Sequence, residues 1–368
     1  MLPDELLNEA LEVFERRIQK VIDEYLERMG KHLKEIGRLL PSDANRLVEM
    51  QRMNVNLKRI QQKIAQAAEM SLKDVEEAFQ AAAEENAKFQ ASFFSDEYDP
   101  ALWGNAQLER TLLAHIRVTK LMLANLSQTT IASKAYRNAV DVAVQAVHSG
   151  IEDYNSAIRR AIQEAASEGL RVRFSESGTT KRLDSAVRQN VLDGMRALNQ
   201  DIAKQVGQQF GADGVEISAH TLCAEDHLPW QGKQMSVKEF EDLQKHLPRP
   251  FGIWNCRHSW SYILMGISEP AWDRDVLEEY RKNSTEKVTI DGKERTRYEW
   301  TQQQRRIETA IRYQHDEITA LKAAGDMAGI RQALKTIDAL NKKYNEISEA
   351  AKLNKQPQRM AGYYFKKK

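Results

Sequence analysis

The chain concentrates its scarce, chemically active side chains in two short stretches, residues 218–233 and 249–259. The only two cysteines lie there, Cys223 in the first stretch and Cys256 in the second, with three of the eight histidines. Three of the six tryptophans lie in these stretches or directly beside them. Because cysteine and histidine are the ligands that zinc prefers, the two stretches build either a small cross-linked or metal-bound core or a chemical site.

The spacing of these residues permits a single metal ion to bind both stretches. Cys223 and His227 are four residues apart, and Cys256 and His258 are two apart. In an extended segment, residues two apart point to the same face. The sequence therefore predicts Cys223, His227, Cys256 and His258 as metal ligands, with zinc as the ion, because four such ligands close a tetrahedral structural site. His220 is a further candidate that could complete the site or replace His227.

Two other interpretations of the cysteines stay open, because Cys-x-x-x-His matches no strong zinc-finger spacing. Free cysteines often pack as small hydrophobic side chains in a core. A disulfide between them would require an oxidising environment. In each case we expect Trp230, Trp254 and Trp260 to form the wall of a small core rather than to stack on a ligand.

A catalytic site is the alternative from another functional class. The polar residues of the two stretches could form a metal-dependent nuclease site, and a Cys–His pair could supply a nucleophile. The residues concerned are His220, Asp226, His227, Asn255 and His258. The chain contains no glycine-rich phosphate loop, no His-Glu-x-x-His and no Gly-x-Ser-x-Gly. We therefore predict no catalytic residues and no enzyme, and a metal-dependent hydrolase or nuclease carried in a particle is the alternative.

The two stretches resemble the signature of phage minor capsid proteins, the group related to the Mu-F-type head morphogenesis proteins. A cysteine-containing segment runs into Trp-Gln-Gly-Lys at 230–233, a Pro-x-Gly run leads to Asn-Cys-Arg-His at 255–258, and Gly-Ile-Ser-Glu-Pro follows at 266–270. The Gln/Arg-rich opening of a helix at 298–312 and the segments 323–326 and 343–348 are also similar. The resemblance covers roughly residues 210–360.

This resemblance implies a structural minor capsid protein of a tailed phage or prophage head. It implies a role in head morphogenesis at or near the portal vertex, with the portal protein and other capsid proteins as partners. Several copies per particle and contact with packaged DNA are further expectations. The expected location is the virion, in the head interior or at the portal vertex, after assembly in the host cytoplasm.

The overall charge provides no field that would attract nucleic acid, since the formal net charge is +1. Local patches do exist. Residues 281–312 carry nine basic and five acidic side chains, and residues 352–368 carry six basic and no acidic ones, with aromatic residues at 363–365. Basic side chains interleaved with aromatic ones can hold DNA, although a solvated helix face and an ordinary cationic tail have the same composition.

Composition also indicates the cellular compartment in which the protein is made. Two cysteines in 368 residues form no disulfide scaffold, which fits assembly in a reducing cytoplasm. The acidic N-terminal segment lacks the apolar core of a secretion signal. No apolar run approaches the length of a membrane span, so we expect no membrane association.

Apolar periodicity predicts a mainly α fold with a small α+β module. Three regions follow: 1–174, an N-terminal helical assembly region; 181–300, an α+β module with the Cys/His cluster; and 301–368, a C-terminal helical hairpin with a basic tail. Apolar residues recur at three and four positions in the first region. They are Leu11, Phe14, Ile18, Val21 and Tyr25, and then Val140, Val144, Val147, Ile151, Tyr154, Ile158 and Ile162.

Local signals place several elements of the α+β module. We predict helices over 181–209 and over 237–246, the second capped by Ser236, and strands over 215–218 and 259–264. Asp291 and Gly292 predict a tight hairpin turn. Gly325 and Asp326 separate two final amphipathic helices, which we expect to pair antiparallel.

Overall fold

The computed structural model describes residues 4–36, 43–92, 94, 105–132, 136, 138–139, 154–173, 178–252 and 256–360. Several predicted features lie outside these residues: the stripe from Val140 to Ile151, Trp254, Asn255 and the tail 361–368. The described part of the chain is mainly α-helical with small antiparallel sheets, which confirms the predicted fold class. None of its helices is long and apolar enough to cross a membrane.

The elements follow one another in a fixed order. The N-terminal half contains α1 (Asp4–Ile36), α2 (Asp43–Ala91), α3 (Asn105–Thr129), β1 (Thr130–Ala132), α4 (Tyr154–Glu168), β2 (Leu170–Arg173), β3 (Thr180–Arg182) and α5 (Leu183–Gln209). The C-terminal half contains β4 (Gly214–Ile217), β5 (Gln234–Ser236), α6 (Val237–His246), β6 (Trp260–Ile263), α7 (Arg274–Thr285), β7 (Lys287–Ile290), β8 (Lys293–Thr296), α8 (Arg297–Ala324) and α9 (Met327–Ala350). Short 3-10 turns lie at Leu228–Trp230 and Pro357–Arg359.

The chain forms two compact units, each built from separate segments. The first unit comprises residues 1–13, 71–122 and 188–301, and the second comprises residues 14–70, 123–187 and 302–368. The division into three successive regions stays a prediction about the sequence.

The first unit holds a three-stranded antiparallel sheet in the order β5-β4-β6. Val215 and Ile217 of the central strand are fully buried in a core to which Phe240, Phe251 and Cys256 also belong. Trp230 and Trp260 pack against the same core, as expected for wall residues. Helix α6 has the bounds predicted from the sequence. The Ser236 side chain accepts from the backbone N–H of Glu239, and the carboxylate of Glu239 accepts in return from that of Ser236.

The second unit contains the final two helices and the sheet β1-β2-β3. Asp326 begins α9, where its side chain accepts hydrogen bonds from the backbone N–H groups of Ala328 and Gly329. Gln304 near the start of α8 donates to Ser348 near the end of α9, at 3.0 Å. Because the start of α8 contacts the end of α9, the two helices run antiparallel, as expected.

The strands at 130–132, 170–173 and 180–182 differ from the prediction. The sequence predicts helix throughout the first 170 residues, yet β1 forms an antiparallel pair with β2. The predicted helix over 181–209 begins at Leu183, because Lys181 and Arg182 belong to β3 and pair with β2. Such short strands have no strong local pattern of their own, since partners distant in sequence stabilise them.

Candidate functional site

The Cys/His cluster lies in the first unit, where two loops meet beside strands β4 and β6. Cys223 and His227 are in the loop after β4, and Cys256 and His258 precede β6. Beyond the strand pairing, the backbone N–H of Ser218 donates to the carbonyl oxygen of Ser259 at 2.9 Å. The N–H of Ser259 donates in return to the Ser218 hydroxyl at 2.9 Å. These bonds hold the two loops together at the base of the cluster.

Cys256 is the centre of the tightest group of potential ligands. Its sulfur lies 3.4 Å from Nδ1 of His227 and 3.3 Å from Nδ1 of His258. The backbone N–H of His258 also donates to this sulfur, at 3.4 Å. The ring of Phe251 packs on both imidazoles, with centroid distances of 4.5 Å to His227 and 5.4 Å to His258. The sulfur thus faces two ring nitrogens under an aromatic cover.

The hydrogen bonding of His227 fixes its tautomer. Nε2 of His227 lies 2.7 Å from the backbone carbonyl oxygen of Arg249. A carbonyl oxygen can only accept, so Nε2 carries the proton. In the neutral ring, Nδ1 then presents a bare lone pair to Cys256.

Cys223 lies on the other side of the His258 ring. Its sulfur is 3.6 Å from Nε2 of His258 and 3.2 Å from the carbonyl oxygen of Ala224, to which the thiol donates. Its backbone N–H donates to the hydroxyl of Ser284 at 3.0 Å. One imidazole therefore lies between the two cysteine sulfurs, and both cysteines are free thiols.

His220 lies beside this second sulfur. Nδ1 of His220 donates to the Thr221 carbonyl oxygen at 2.9 Å, because that oxygen can only accept. Nε2 of His220 is buried and has no hydrogen-bond partner among the residues that the structure describes. The ring centroid of His220 is 4.5 Å from that of His258.

Two groups of three potential metal ligands result, and they share His258. One contains His227, Cys256 and His258, and the other contains His220, Cys223 and His258; within each group the ligand atoms lie within 4.8 Å of one another. The structure therefore places three of the four predicted metal ligands in one group. The fourth, Cys223, lies with His220 in the other.

The two thiols differ in acidity, although the sequence analysis predicts the same role for both. Burial and the neighbouring Cys256 raise the pKa of Cys223 to about 12. Burial also acts to raise the pKa of Cys256, but the hydrogen bond between Cys256 and His227 and the N–H groups of Gly252 and His258 outweigh it and lower that pKa. Cys256 is thus the sulfur that its surroundings prepare for ionisation.

Burial favours the neutral form of two of the three histidines, His258 and His220. Burial, followed by the charges of His220 and His227, lowers the pKa of His258 to about 3. Burial likewise lowers the pKa of His220. For His227, hydrogen bonds to Cys256 and to the Arg249 carbonyl outweigh burial and raise the pKa. Neutral imidazole is the form that binds metals.

The cluster is closed to solvent. His227 is 1% exposed, Cys223 1%, His258 3% and Cys256 6%. Asp226, which the nuclease alternative requires, lies at the surface, where its carboxylate accepts from the Arg249 guanidinium at 2.7 Å. Asn255 lies outside the described residues. The described residues favour a closed structural centre over a site that admits a large substrate.

Sequence reasoning missed three residues that support the cluster. Arg249 contributes its carbonyl oxygen, Phe251 contributes the aromatic cover, and Ser284 holds the backbone of Cys223 from 61 positions away. Arg249 and Phe251 belong to the second motif, so their clustering was a usable signal. The contact from the Arg249 carbonyl oxygen could not be predicted from residue type, because every residue has a backbone carbonyl. The contact from Ser284 could not be predicted either, because no local pattern links this serine to Cys223.

Comparison with known proteins gives the family. No curated protein and no solved structure matched the chain. The family model described as phage minor capsid protein 2 matches residues 11–347, a range that begins about 200 residues before the segment 210–360 that carries the motifs and covers most of that segment. Because this match covers most of the chain, the protein belongs to the phage minor capsid protein 2 family.

Proposed function

We propose that the protein is a structural component that acts in head morphogenesis at or near the portal vertex of a tailed-phage head. Membership of a minor capsid protein family carries this proposal, because it supports a structural role in the capsid. The closed Cys/His cluster fits that role, since side chains buried beneath Phe251 stabilise a fold without receiving a substrate. In this proposal the chain is not an enzyme, and its partners are the portal protein and other head proteins.

Exposed apolar side chains on α3 support the assembly role. Leu113 is 56% exposed, Val118 48% and Leu121 59%. Large apolar side chains grouped on an exposed helix are typical of protein interaction sites. Several copies per particle, each using such a surface, fit a minor component of the head.

Purified heads of the phage that encodes this chain provide the test. Mass spectrometry should find the protein as a reproducible component, and electron cryomicroscopy should find its density at the portal vertex. Reproducible absence from both immature and mature heads would refute the structural role. Leu121→Lys should reduce incorporation into heads, because a charge would be buried at the contact. Ala339→Lys, at an exposed position of α9 and outside the apolar surface of α3, is the matched control and should assemble normally.

Contact with packaged DNA is part of the proposal, and the basic segments support it. Within 281–312 some basic residues are already paired: Lys287 with Glu294 at 2.9 Å and Arg297 with Glu286 at 3.6 Å. The segment 352–368 has six basic and no acidic residues; Lys355 in it is also paired, with Glu349 at 2.9 Å, so Lys366, Lys367 and Lys368 are the residues proposed to contact DNA.

The DNA contact has its own test. Replacing Lys366, Lys367 and Lys368 by alanine should weaken DNA binding and reduce its salt dependence by up to about three charges, if each lysine neutralises one phosphate. Binding that is unchanged at every salt concentration would remove the tail from the DNA contact. Replacing Lys204, Lys238 and Lys335 by alanine is the control for the loss of three exposed lysines outside both basic segments.

A further inference from the structure

We propose that His227, Cys256 and His258 bind one zinc-class divalent ion through Nδ1, Sγ and Nδ1, and that this ion joins the loop after β4 to the loop before β6. The site is independent of the capsid role, since it depends only on the geometry of the first unit. It goes beyond the four-residue set predicted from sequence by selecting one sulfur as the ligand and giving the other a different task.

The distances agree with tetrahedral coordination. With Zn–N near 2.0–2.1 Å and Zn–S near 2.3 Å, a tetrahedral ion separates its nitrogen and sulfur ligands by about 3.5 Å. The sulfur of Cys256 lies 3.4 Å from Nδ1 of His227 and 3.3 Å from Nδ1 of His258. Small outward movements of the side chains would admit the ion.

Supporting hydrogen bonds orient both imidazoles. Metal-bound histidine almost always donates its second N–H to a carbonyl or carboxylate oxygen or to water. His227 donates from Nε2 to the Arg249 carbonyl oxygen at 2.7 Å. With Nδ1 of His258 on the metal, its Nε2–H points at the sulfur of Cys223, 3.6 Å away, whose own proton goes to the Ala224 carbonyl. Cys223 is therefore a positioning residue for His258.

The backbone around Cys256 supports the thiolate that metals bind, because the N–H of His258 donates to its sulfur at 3.4 Å. On binding, the thiol proton leaves to solvent and the thiolate forms a bond to the ion. Cys223 keeps its own proton, which it donates to the Ala224 carbonyl oxygen.

A network of thiol hydrogen bonds is the competing explanation of the same distances. The single proton of Cys256 would go to Nδ1 of His227, because that nitrogen carries none. His258 would then have to donate from Nδ1 to the sulfur of Cys256, and its Nε2, which faces the sulfur of Cys223, would carry no proton. The two explanations thus require opposite tautomers of His258, in addition to different metal contents.

Elemental analysis of the freshly purified full-length chain tests the site. We expect about one zinc ion per chain. Cys256→Ser should lose the ion, Cys223→Ser should retain it, and His246→Ala should leave it unchanged, because His246 is exposed on α6 and bonds to the backbone of its own helix. Wild-type protein that contains no zinc, and that takes up none after chelation and titration with Zn²⁺, would overturn the proposal.

Cobalt substitution keeps the test informative if Cys256→Ser fails to fold. The sulfur-to-cobalt absorption of the wild type should have the intensity of one thiolate, and Cys223→Ser should give the same spectrum. If Cys223→Ser halves the absorption or removes the ion, both cysteines are ligands and the three-ligand assignment is wrong. Nitrogen-15 NMR of His258 should show protonated Nε2 in the metal-bound protein, and a protonated Nδ1 there would identify the thiol network instead.

Discussion

Nε2 of His227 lies 2.7 Å from the carbonyl oxygen of Arg249, a contact that joins two loops 22 residues apart in sequence. The bond decides which nitrogen of a buried imidazole faces the cysteine. His220, in the same cluster, has the opposite tautomer, since its Nδ1 donates to the Thr221 carbonyl oxygen. Chemically identical side chains thus present different nitrogens to their neighbours because the local backbone differs.

This difference leads to a direct spectroscopic prediction. Neutral His227 should be the Nε2–H tautomer and neutral His220 the Nδ1–H tautomer. Long-range proton–nitrogen NMR of histidine-labelled protein distinguishes them, with each residue assigned by substitution. His227 and His220 serve as mutual controls. If both had the same tautomer, the hydrogen bond to Arg249 or the one to Thr221 would be wrong.

Ser284 should stabilise the loop of Cys223 by an amount that can be measured. Its buried hydroxyl accepts from the N–H of Cys223 at 3.0 Å and donates to the Tyr280 carbonyl oxygen at 2.8 Å. Ser284→Ala leaves the Cys223 N–H unpaired, which costs about 1–3 kcal/mol. Thr285→Ala is the matched control, because Thr285 makes the same kind of bond to Arg281 from an exposed position.

Amide hydrogen exchange and urea unfolding measure this cost. Exchange of the Cys223 amide should accelerate in Ser284→Ala and stay unchanged in Thr285→Ala, whose stability should change by less than about 0.5 kcal/mol. Equal effects of the two substitutions would show that the buried hydroxyl contributes nothing beyond the helix bond.

Local sequence signals predicted the elements whose cause is local. The helix Val237–His246 has its capping residues beside it, and the hairpin turn is specified by Asp291 and Gly292, which have φ values of 50° and 71°. The scarcity of cysteine and histidine led to the prediction that Cys223 and Cys256 bind one metal ion, which stays a prediction; the structure places both sulfurs beside the His258 ring. Their positions on opposite sides of that ring could not be predicted, because only the folded chain determines them.

Elements stabilised from a distance were not predictable. Helix α7 (Arg274–Thr285) has only three apolar residues, Val276, Leu277 and Tyr280, and strand β1 pairs with β2 about forty residues later. The contact between Arg249 and His227 uses a carbonyl oxygen that every residue has. Tertiary packing decides such features, and a single sequence records it only indirectly.

Asp316 should make the stability of the second unit depend on pH. The Arg182 guanidinium lies between two buried carboxylates, 2.7 Å from Asp316 and 3.2 Å from Asp184. Burial, with the charges of Asp184 and Asp23, outweighs Arg182 and raises the pKa of Asp316 from 3.8 to about 6. For Asp184, Arg182 and Arg312 outweigh burial and lower the pKa. The arginine therefore stabilises Asp184 as its ionised partner.

The sign of the effect follows from the raised pKa. The folded state holds the Asp316 proton more tightly than the unfolded state, so its contribution is complete below about pH 4 and is lost as pH rises through about 6. The free energy of unfolding should fall over that interval by up to about 3 kcal/mol from this group. Asp184 has the opposite sign and titrates at lower pH.

Asp316→Asn isolates this contribution. The variant cannot release the proton, so its stability should fall less than that of the wild type between pH 4 and 6. Asp338→Asn, exposed on α9, removes the same charge and should follow the wild-type curve. Urea unfolding and amide hydrogen exchange in α8, each measured at several pH values for all three proteins, give the comparison. A parallel curve for Asp316→Asn would contradict the raised pKa.

Gly30 should tolerate no side chain, because α1 and α8 approach each other closely at this residue. A Cβ atom at Gly30 would lie 2.1 Å from the backbone carbonyl oxygen of Ala320. The higher helix propensity of alanine contributes about 1 kcal/mol in favour of Gly30→Ala. Separating the two backbones costs more, typically about 1–3 kcal/mol and occasionally more, so we expect net destabilisation.

Gly194 offers a comparison that identifies the kind of clash. A Cβ atom there would lie 2.4 Å from the hydroxyl oxygen of Thr119, a side-chain atom. Thr119→Ala should therefore relieve part of the cost of Gly194→Ala, whereas Ala320→Gly should not relieve Gly30→Ala, because the opposing atom is backbone. Thermal and urea unfolding of the single and double variants measure both couplings. If Gly30→Ala were as stable as the wild type, the close approach of α1 and α8 would be wrong.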